Sequence, residues 1–183
     1  ILIDQKHLEK LSKDSHEELT KLESEIYKLA GREFNINSPK QLGEILFDEL
    51  KLTAKGLKKT AGGARSTRES ELLKLKNAHA VIPVILKQRE LQKLLSTYID
   101  AIPKLVATDG RLHTTLNQMG TTTGRISSND PNLQNIPQGA GLGQEFRRAF
   151  LATPGFQLLA FDYSQIEMRV LALFSGDEVL TEI

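Results

Sequence analysis

Cysteine is absent from the 183 residues, which excludes disulfides and thiolate metal sites and fits a reducing compartment. No apolar run approaches the roughly 20 residues that span a bilayer, and the N-terminus lacks the charged start of a secretory signal. The expected location is therefore the cytoplasm or another reducing compartment, with no membrane partner. No internal repeat or low-complexity tract occurs. An excess of one charge is also lacking: 24 Lys and Arg face 23 Asp and Glu, a net charge of +1. The overall balance thus says nothing about partners, and any affinity for a polyanion must be local. What is present, 39% apolar and 26% charged residues, fits a soluble globular chain with room for one large domain or two small ones.

The first hundred residues read as helical. Leu8, Leu11, Leu19, Leu22, Ile26 and Leu29 line one stripe of a helix over residues 4–30, with Asp4 as N-cap and Gly31 as the glycine just past its end. Ser38-Pro39-Lys40-Gln41 is a capping box with proline at the first helical position, opening a helix that carries Leu42, Ile45, Leu46 and Leu50. Residues 51–68 then hold Lys51, Lys55, Lys58, Lys59, Arg65 and Arg68 and no acidic residue. Gly56, Gly62 and Gly63 make this stretch a mobile loop, a basic tip that could follow a phosphate backbone or simply be solvated surface. Ser66 and Glu69 give a further capping box for a helix to about Ala78, and a longer one follows from Pro83. On it Arg89 and Lys93 share a face one turn apart. The all-helical part ends near Ala101, before Pro103.

From Asp109-Gly110 the pattern turns to strand. Arg111 to Met119 is threonine-rich and alternating, and a second strand is expected through Arg125 to Ser128, giving an antiparallel pair. Asn129-Asp130-Pro131 turns into the amide-rich Asn132-Leu133-Gln134-Asn135. Amides offer both donors and acceptors and suit contacts in the minor groove, where the base pairs share acceptors; such a string is also an ordinary polar loop. Glycines 139, 141 and 143 imitate a phosphate-binding loop, but Pro137 and not a strand precedes them, so the stretch reads as a flexible connection. Arg147 and Arg148 are possible phosphate contacts.

Near the end, Leu158 to Phe161 form a short apolar run suited to a buried strand, with Asp162 where that strand leaves the core. Ser164 and Glu167 have the spacing of a capping box, so a helix is expected from Gln165, with Ile166, Val170, Leu171 and Phe174 packing it back on a sheet. A carboxylate at a strand end beside a helix start can hold a divalent cation next to a phosphate. An aspartate there can equally be a turn or cap residue.

Two stretches carry a resemblance. Asp162-Tyr163-Ser164-Gln165-Ile166-Glu167-Met168-Arg169-Val170-Leu171-Ala172 resembles the first palm motif of family A DNA polymerases, and Thr121 to Pro137 resembles the signature that precedes it, in the family's order and near its spacing. The resemblance implies an α+β fold: a helical thumb over residues 1–101 with its basic tip at 51–68, followed over 102–183 by the first strands and first motif helix of an antiparallel-sheet palm, truncated before the fingers. It implies a template-directed DNA polymerase that adds dNTPs to a primer 3′-hydroxyl by two-metal phosphoryl transfer in the complete enzyme. Asp162 and Glu167 are the implied catalytic residues. Asp162 and the backbone carbonyl of Tyr163 are the implied Mg²⁺ ligands, one carboxylate for a centre of two ions. Gln165 and Glu167 are implied to line the nucleotide site, with Glu167 crowding the sugar 2′ position. Lys55, Lys58, Lys59, Arg65, Arg89, Lys93, Arg125, Asn132, Gln134 and Asn135 are the implied contacts to primer-template DNA.

The sequence also departs from the family. The second metal-binding aspartate belongs to a Val-His-Asp-Glu stretch that this chain lacks, as it lacks the fingers helix that grips the triphosphate. These parts are expected from the same gene or a separate chain, and the 183 residues alone are predicted inactive. Leu173 stands where many members carry histidine, which leaves a minor packing or hydrogen-bond feature open. The alternative is a non-catalytic duplex DNA-binding module or remnant.

Overall fold

A computed structural model describes residues 1–53, 55–60, 62–137 and 141–182. Gly139, part of the glycine run considered above, lies outside them. The fold is α+β, helix-rich with two small antiparallel sheets, and divides into two compact units, Ile1–Leu151 and Ala152–Ile183. The expected boundary between a helical thumb subdomain (1–101) and a palm segment (102–183) falls within the first of these units.

In the first unit, strand β1 (Leu2–Ile3) leads into helix α1 (Gln5–Ala30). Asp4 caps α1 by accepting the His7 N–H at 3.0 Å, and Gly31 ends it at φ 81°, donating its N–H to the Tyr27 carbonyl. That left-handed turn favours glycine. The apolar stripe of α1 serves two cores. Leu8, Leu11, Leu19 and Leu22 pack with Leu91, Leu94, Leu95, Tyr98 and Ile99, and with Leu112 and Phe146 from the later part of the unit. Ile26 and Ala30 pack instead with Ile36, Leu42, Ile45, Leu46, Leu72, Leu75, Ile82 and Ile85. One rigid helix therefore joins the base of the unit to its tip.

Helix α2 (Pro39–Gly43) begins as its proline and capping serine predict, with Ser38 Oγ accepting the Gln41 N–H at 3.4 Å. The reciprocal half of the box is not formed: Gln41 Oε1 accepts the Asn35 N–H at 2.7 Å. The helix continues as a wider π turn over Glu44–Glu49, burying Ile45, Leu46 and Phe47. Helix α3 (Glu69–Leu73) is shorter than expected and is not opened by a capping box. Ser66 is buried and accepts the Arg68 N–H at 3.3 Å, so it closes the turn before the helix while Arg68 takes the cap position without a side-chain bond. Helix α4 (Val81–Leu94) starts two residues before Pro83 and extends as a π turn through Leu95–Ile99. A 3₁₀ turn, Ile102–Leu105, follows.

The expected antiparallel pair is present but shorter: β2 (Thr115–Asn117) against β3 (Ser127–Asn129), with Leu116 opposite Ser128. A Cβ at Gly120 would collide with Ser127 Oγ, so a larger residue there requires the Ser127 side chain to move. Helix α5 (Leu142–Arg147) presents the fully buried Phe146 to the base core, and β4 (Phe150–Leu151) pairs with β1. The sheet thus clasps the two ends of the unit together.

The second unit holds helices α6 (Ile166–Ser175) and α7 (Glu178–Thr181). Three expectations fail here. Residues 158–161 form no strand, and Leu159 and Phe161 are exposed at 74% and 90%. A strand exists only where a neighbour takes up its backbone N–H and carbonyl groups, and none pairs with this run among the described residues. Ser164 does not cap α6: Gln165 occupies the cap position with a left-handed backbone (φ 50°), leaving Ser164 one residue before the cap. The face meant for a sheet is also uncovered, with Leu171 and Phe174 exposed at 50% and 84%. Among the described residues, no helix is long and apolar enough to cross a membrane.

Candidate nucleic-acid interface

The basic stretch, expected as a mobile loop, has the backbone bonding of a hairpin among its described residues. Lys59 and Arg65 form an antiparallel bridge. The Thr60 N–H donates to Ala64 O at 2.7 Å and the Ser66 N–H to Lys58 O at 2.9 Å. Lys55, Lys58, Lys59 and Arg65 are all exposed on it. The Arg65 guanidinium lies 5.4 Å from the centre of the Phe47 ring, a cation–π contact that holds the hairpin's return strand over the π turn. Beneath the hairpin, the buried Glu71 carboxylate accepts the Lys58 N–H at 2.9 Å and Lys74 Nζ at 2.8 Å. The Lys74 ammonium, and then the Lys58 N–H, hold the Glu71 carboxyl below the usual carboxylate range.

On α4, Lys93 is exposed while Arg89 is half-buried and donates through Nη1 to the Thr67 carbonyl. Burial draws the Arg89 guanidinium down from its ordinary value, though it stays cationic at any pH at which the protein folds. Arg89 therefore braces the segment that follows the tip, and Lys93 lies one turn further on.

The amide-rich turn is bonded mainly to itself. Gln134 Nε2 donates to Ile126 O at 2.7 Å and its Oε1 accepts the Ser128 N–H at 3.3 Å. Asn132 Oδ1 accepts the Gln134 N–H at 2.9 Å. The buried Ser128 hydroxyl accepts the Leu133 N–H at 3.1 Å and bonds Thr114 Oγ1 at 2.7 Å. From the base core, the Tyr98 hydroxyl donates to the Asn135 carbonyl. Arg125, Asn132, Gln134 and Asn135 remain exposed on this braced loop. All ten expected DNA contacts thus lie in the first unit, on three supports: the hairpin, α4 and the amide loop.

In the second unit Asp162, Tyr163, Gln165 and Glu167 are exposed. Arg169 Nε donates to the Ser164 carbonyl at 3.0 Å, tying the left-handed turn to the first turn of α6. No group of three or more His, Asp or Glu side chains able to hold a metal ion occurs among the described residues. A single carboxylate and one backbone carbonyl do not make a Mg²⁺ site, so the residues present do not by themselves fit the expected two-ion centre.

Two supporting residues were not legible as such beforehand. Glu71 stands four residues before Leu75 in the sequence, at helical spacing, and an acidic residue in register with apolar ones is a signal for a buried, paired charge. For Tyr98, nothing in residue spacing shows where a phenol hydroxyl points.

This helix-rich α+β chain, with an exposed basic hairpin and a braced amide loop, matches the family model described as DNA polymerase family A over residues 5–183. The chain belongs to that family. It is 52% identical over its full length to the thermostable DNA polymerase I of Thermus caldophilus, of which it covers 22%. It is 48% identical to the DNA polymerase I of Deinococcus radiodurans, covering 19% of that protein. The chain therefore spans about a fifth of the curated relatives it matches. Among solved structures it is similar to the POL domain of Pol1 from M. smegmatis in complex with DNA primer-template and dNTP. The TM-score is 0.86 at 38% identity, over 97% of this chain and 31% of that one.

Proposed function

We propose that these 183 residues are the thumb (1–101) and the N-terminal part of the palm (102–183) of a template-directed DNA polymerase. The observation that carries this is the likeness over 97% of the chain, at 38% identity, to a polymerase domain solved with primer-template and dNTP. In this reading Lys55, Lys58, Lys59 and Arg65 meet the phosphate backbone from the hairpin, and Arg89 and Lys93 meet it from α4. Arg125, Asn132, Gln134 and Asn135 meet the duplex near the primer terminus, where amides can bond any correct pair. Gln134 does so through its second amide N–H, the first being held by Ile126. Asp162 and the Tyr163 carbonyl are this chain's share of a cation centre whose remaining ligands lie elsewhere. Glu167 crowds the sugar 2′ position, and Gln165 lines the nucleotide site. No chemical step is assigned to the chain by itself, because its donor set is incomplete.

A second reading is a duplex-binding module without catalysis. The first unit, which carries all ten expected DNA contacts, has both buried cores.

Primer extension with Mg²⁺ separates the two, using the chain alone and then with a family A C-terminal half supplied in trans. Extension only with the added half, abolished by Asp162→Asn while duplex binding persists, is the expected result. Extension by the chain alone would overturn the assignment of a shared metal centre. Binding without extension in either case would favour the module.

A further inference from the structure

We infer that Glu71 is a positioning residue for DNA binding: its buried carboxylate holds the basic hairpin in the shape that presents Lys58 and Lys59 together to a phosphate backbone. This rests on the DNA-binding reading above. Glu71 is 3% exposed. Through one oxygen it accepts the backbone N–H of Lys58 at 2.9 Å and the ammonium of Lys74 at 2.8 Å. Lys74 Nζ also donates to the Gly56 carbonyl at 2.8 Å, where the chain turns with φ 73°. One carboxylate thus ties the entry of the hairpin (residue 56), its first strand (residue 58) and α3 to a single point.

Packing alone does not call for a carboxylate here, since Leu72 and Leu75 beside it are fully buried apolar residues, while its ion-pair partner Lys74 is 37% exposed. Net charge does not account for it either, since a negative group under a cationic tip lowers the tip's attraction for phosphate. What a carboxylate offers that an apolar group lacks is an acceptor in a fixed direction, here meeting the Lys58 N–H of the hairpin and the Lys74 ammonium that holds the Gly56 carbonyl. The two roles predict opposite signs. If Glu71 acts only as a charge, removing it strengthens DNA binding. If it positions the hairpin, removing it weakens binding and makes it less salt-dependent.

The test is fluorescence anisotropy of the 183-residue chain with a labelled primer-template duplex between 50 and 200 mM KCl, comparing wild type, Glu71→Ala, Glu71→Gln and the Lys58→Ala/Lys59→Ala double variant. For every phosphate no longer neutralised, the slope of log K against log salt becomes shallower by about 0.9, and affinity falls roughly eightfold at 0.1 M relative to 1 M. Glu71→Ala is expected to neutralise one to two fewer phosphates than wild type and to approach the double-lysine variant. Glu71→Gln should fall between it and wild type, because an amide oxygen can still accept the Lys58 N–H but cannot neutralise Lys74. Should Glu71→Ala lose its helical circular dichroism, Glu71→Gln decides: it must bind at least twofold more weakly than wild type despite its extra positive charge. Equal or tighter binding by a folded Glu71 variant, with the wild-type slope, would overturn the inference while leaving the DNA-binding reading intact. Absence of salt-dependent binding in wild type itself would instead overturn the DNA-binding reading, and this inference with it.

Discussion

Replacing Tyr98 by phenylalanine and by alanine separates two things that one residue does for the first unit. Tyr98 is 8% exposed, its ring 5.6 Å from that of Phe146, which in turn lies 5.4 Å from Phe150. Its hydroxyl donates to the Asn135 carbonyl and so links the end of α4 to the amide loop. Tyr98→Phe keeps the ring stack and removes one hydrogen bond, worth about 0.5–1.5 kcal/mol net. Asn135 is exposed, so its carbonyl can turn to water, and the loss should sit at the lower end, about 0.5–1 kcal/mol. Tyr98→Ala also removes a buried ring from the base core and should cost about 3–5 kcal/mol. Urea unfolding followed by circular dichroism measures both. The loop supplies an independent reading: Tyr98→Phe should speed amide hydrogen exchange around residues 133–136 while leaving α1 unchanged. If Tyr98→Phe matches wild type in stability and in loop exchange, the hydroxyl does not brace the loop. If Tyr98→Ala costs under about 1.5 kcal/mol, its ring is not the core element described, since a buried aromatic should cost at least twice that.

Two further outcomes follow from the same physics. Gly31→Ala should destabilise the unit by about 1 kcal/mol from backbone conformation alone, because φ is 81° and a Cβ there would meet no atom within 4 Å; a thermal melt unchanged from wild type would refute this. The Glu71 carboxyl is held below its ordinary value of 4.5, so its stabilising contribution is present above that pH and is lost as the pH falls through the lower folded-state value. Acid titration of unfolding should therefore show a shallower loss of stability below about pH 4.5 in Glu71→Gln than in wild type, and identical acid profiles would contradict the pairing.

Local chemistry carried much of the fold into the sequence. The stripe of α1, its Asp4 cap and its Gly31 stop were legible because helical spacing, a short acceptor side chain and a left-handed turn act within a few residues. The β2–β3 pair was legible for the same reason, threonine alternation bounded by glycine. Capping boxes were less dependable. The same serine-to-glutamate spacing occurs at Ser66 and at Ser164, yet Ser66 is drawn under the hairpin and Ser164 lies one residue before the cap of α6. Spacing sets which residues can meet, and packing decides whether the backbone lets them.

The candidate site divides along the same line. The basic character of residues 51–68, the amide-rich turn and the Asp162 strip belong to the sequence itself, as does the resemblance that placed the chain in its family. That the basic stretch is a hairpin, that Arg65 lies over Phe47, that Arg89 holds Thr67 and that Glu71 anchors Lys58 were decided only by tertiary structure. These contacts join residues 13 to 22 positions apart, beyond the reach of any helical or strand period. The run at 158–161 shows the converse. Its apolar content marks it for a strand, but a strand is a property of two segments, and no second segment pairs with it among the described residues.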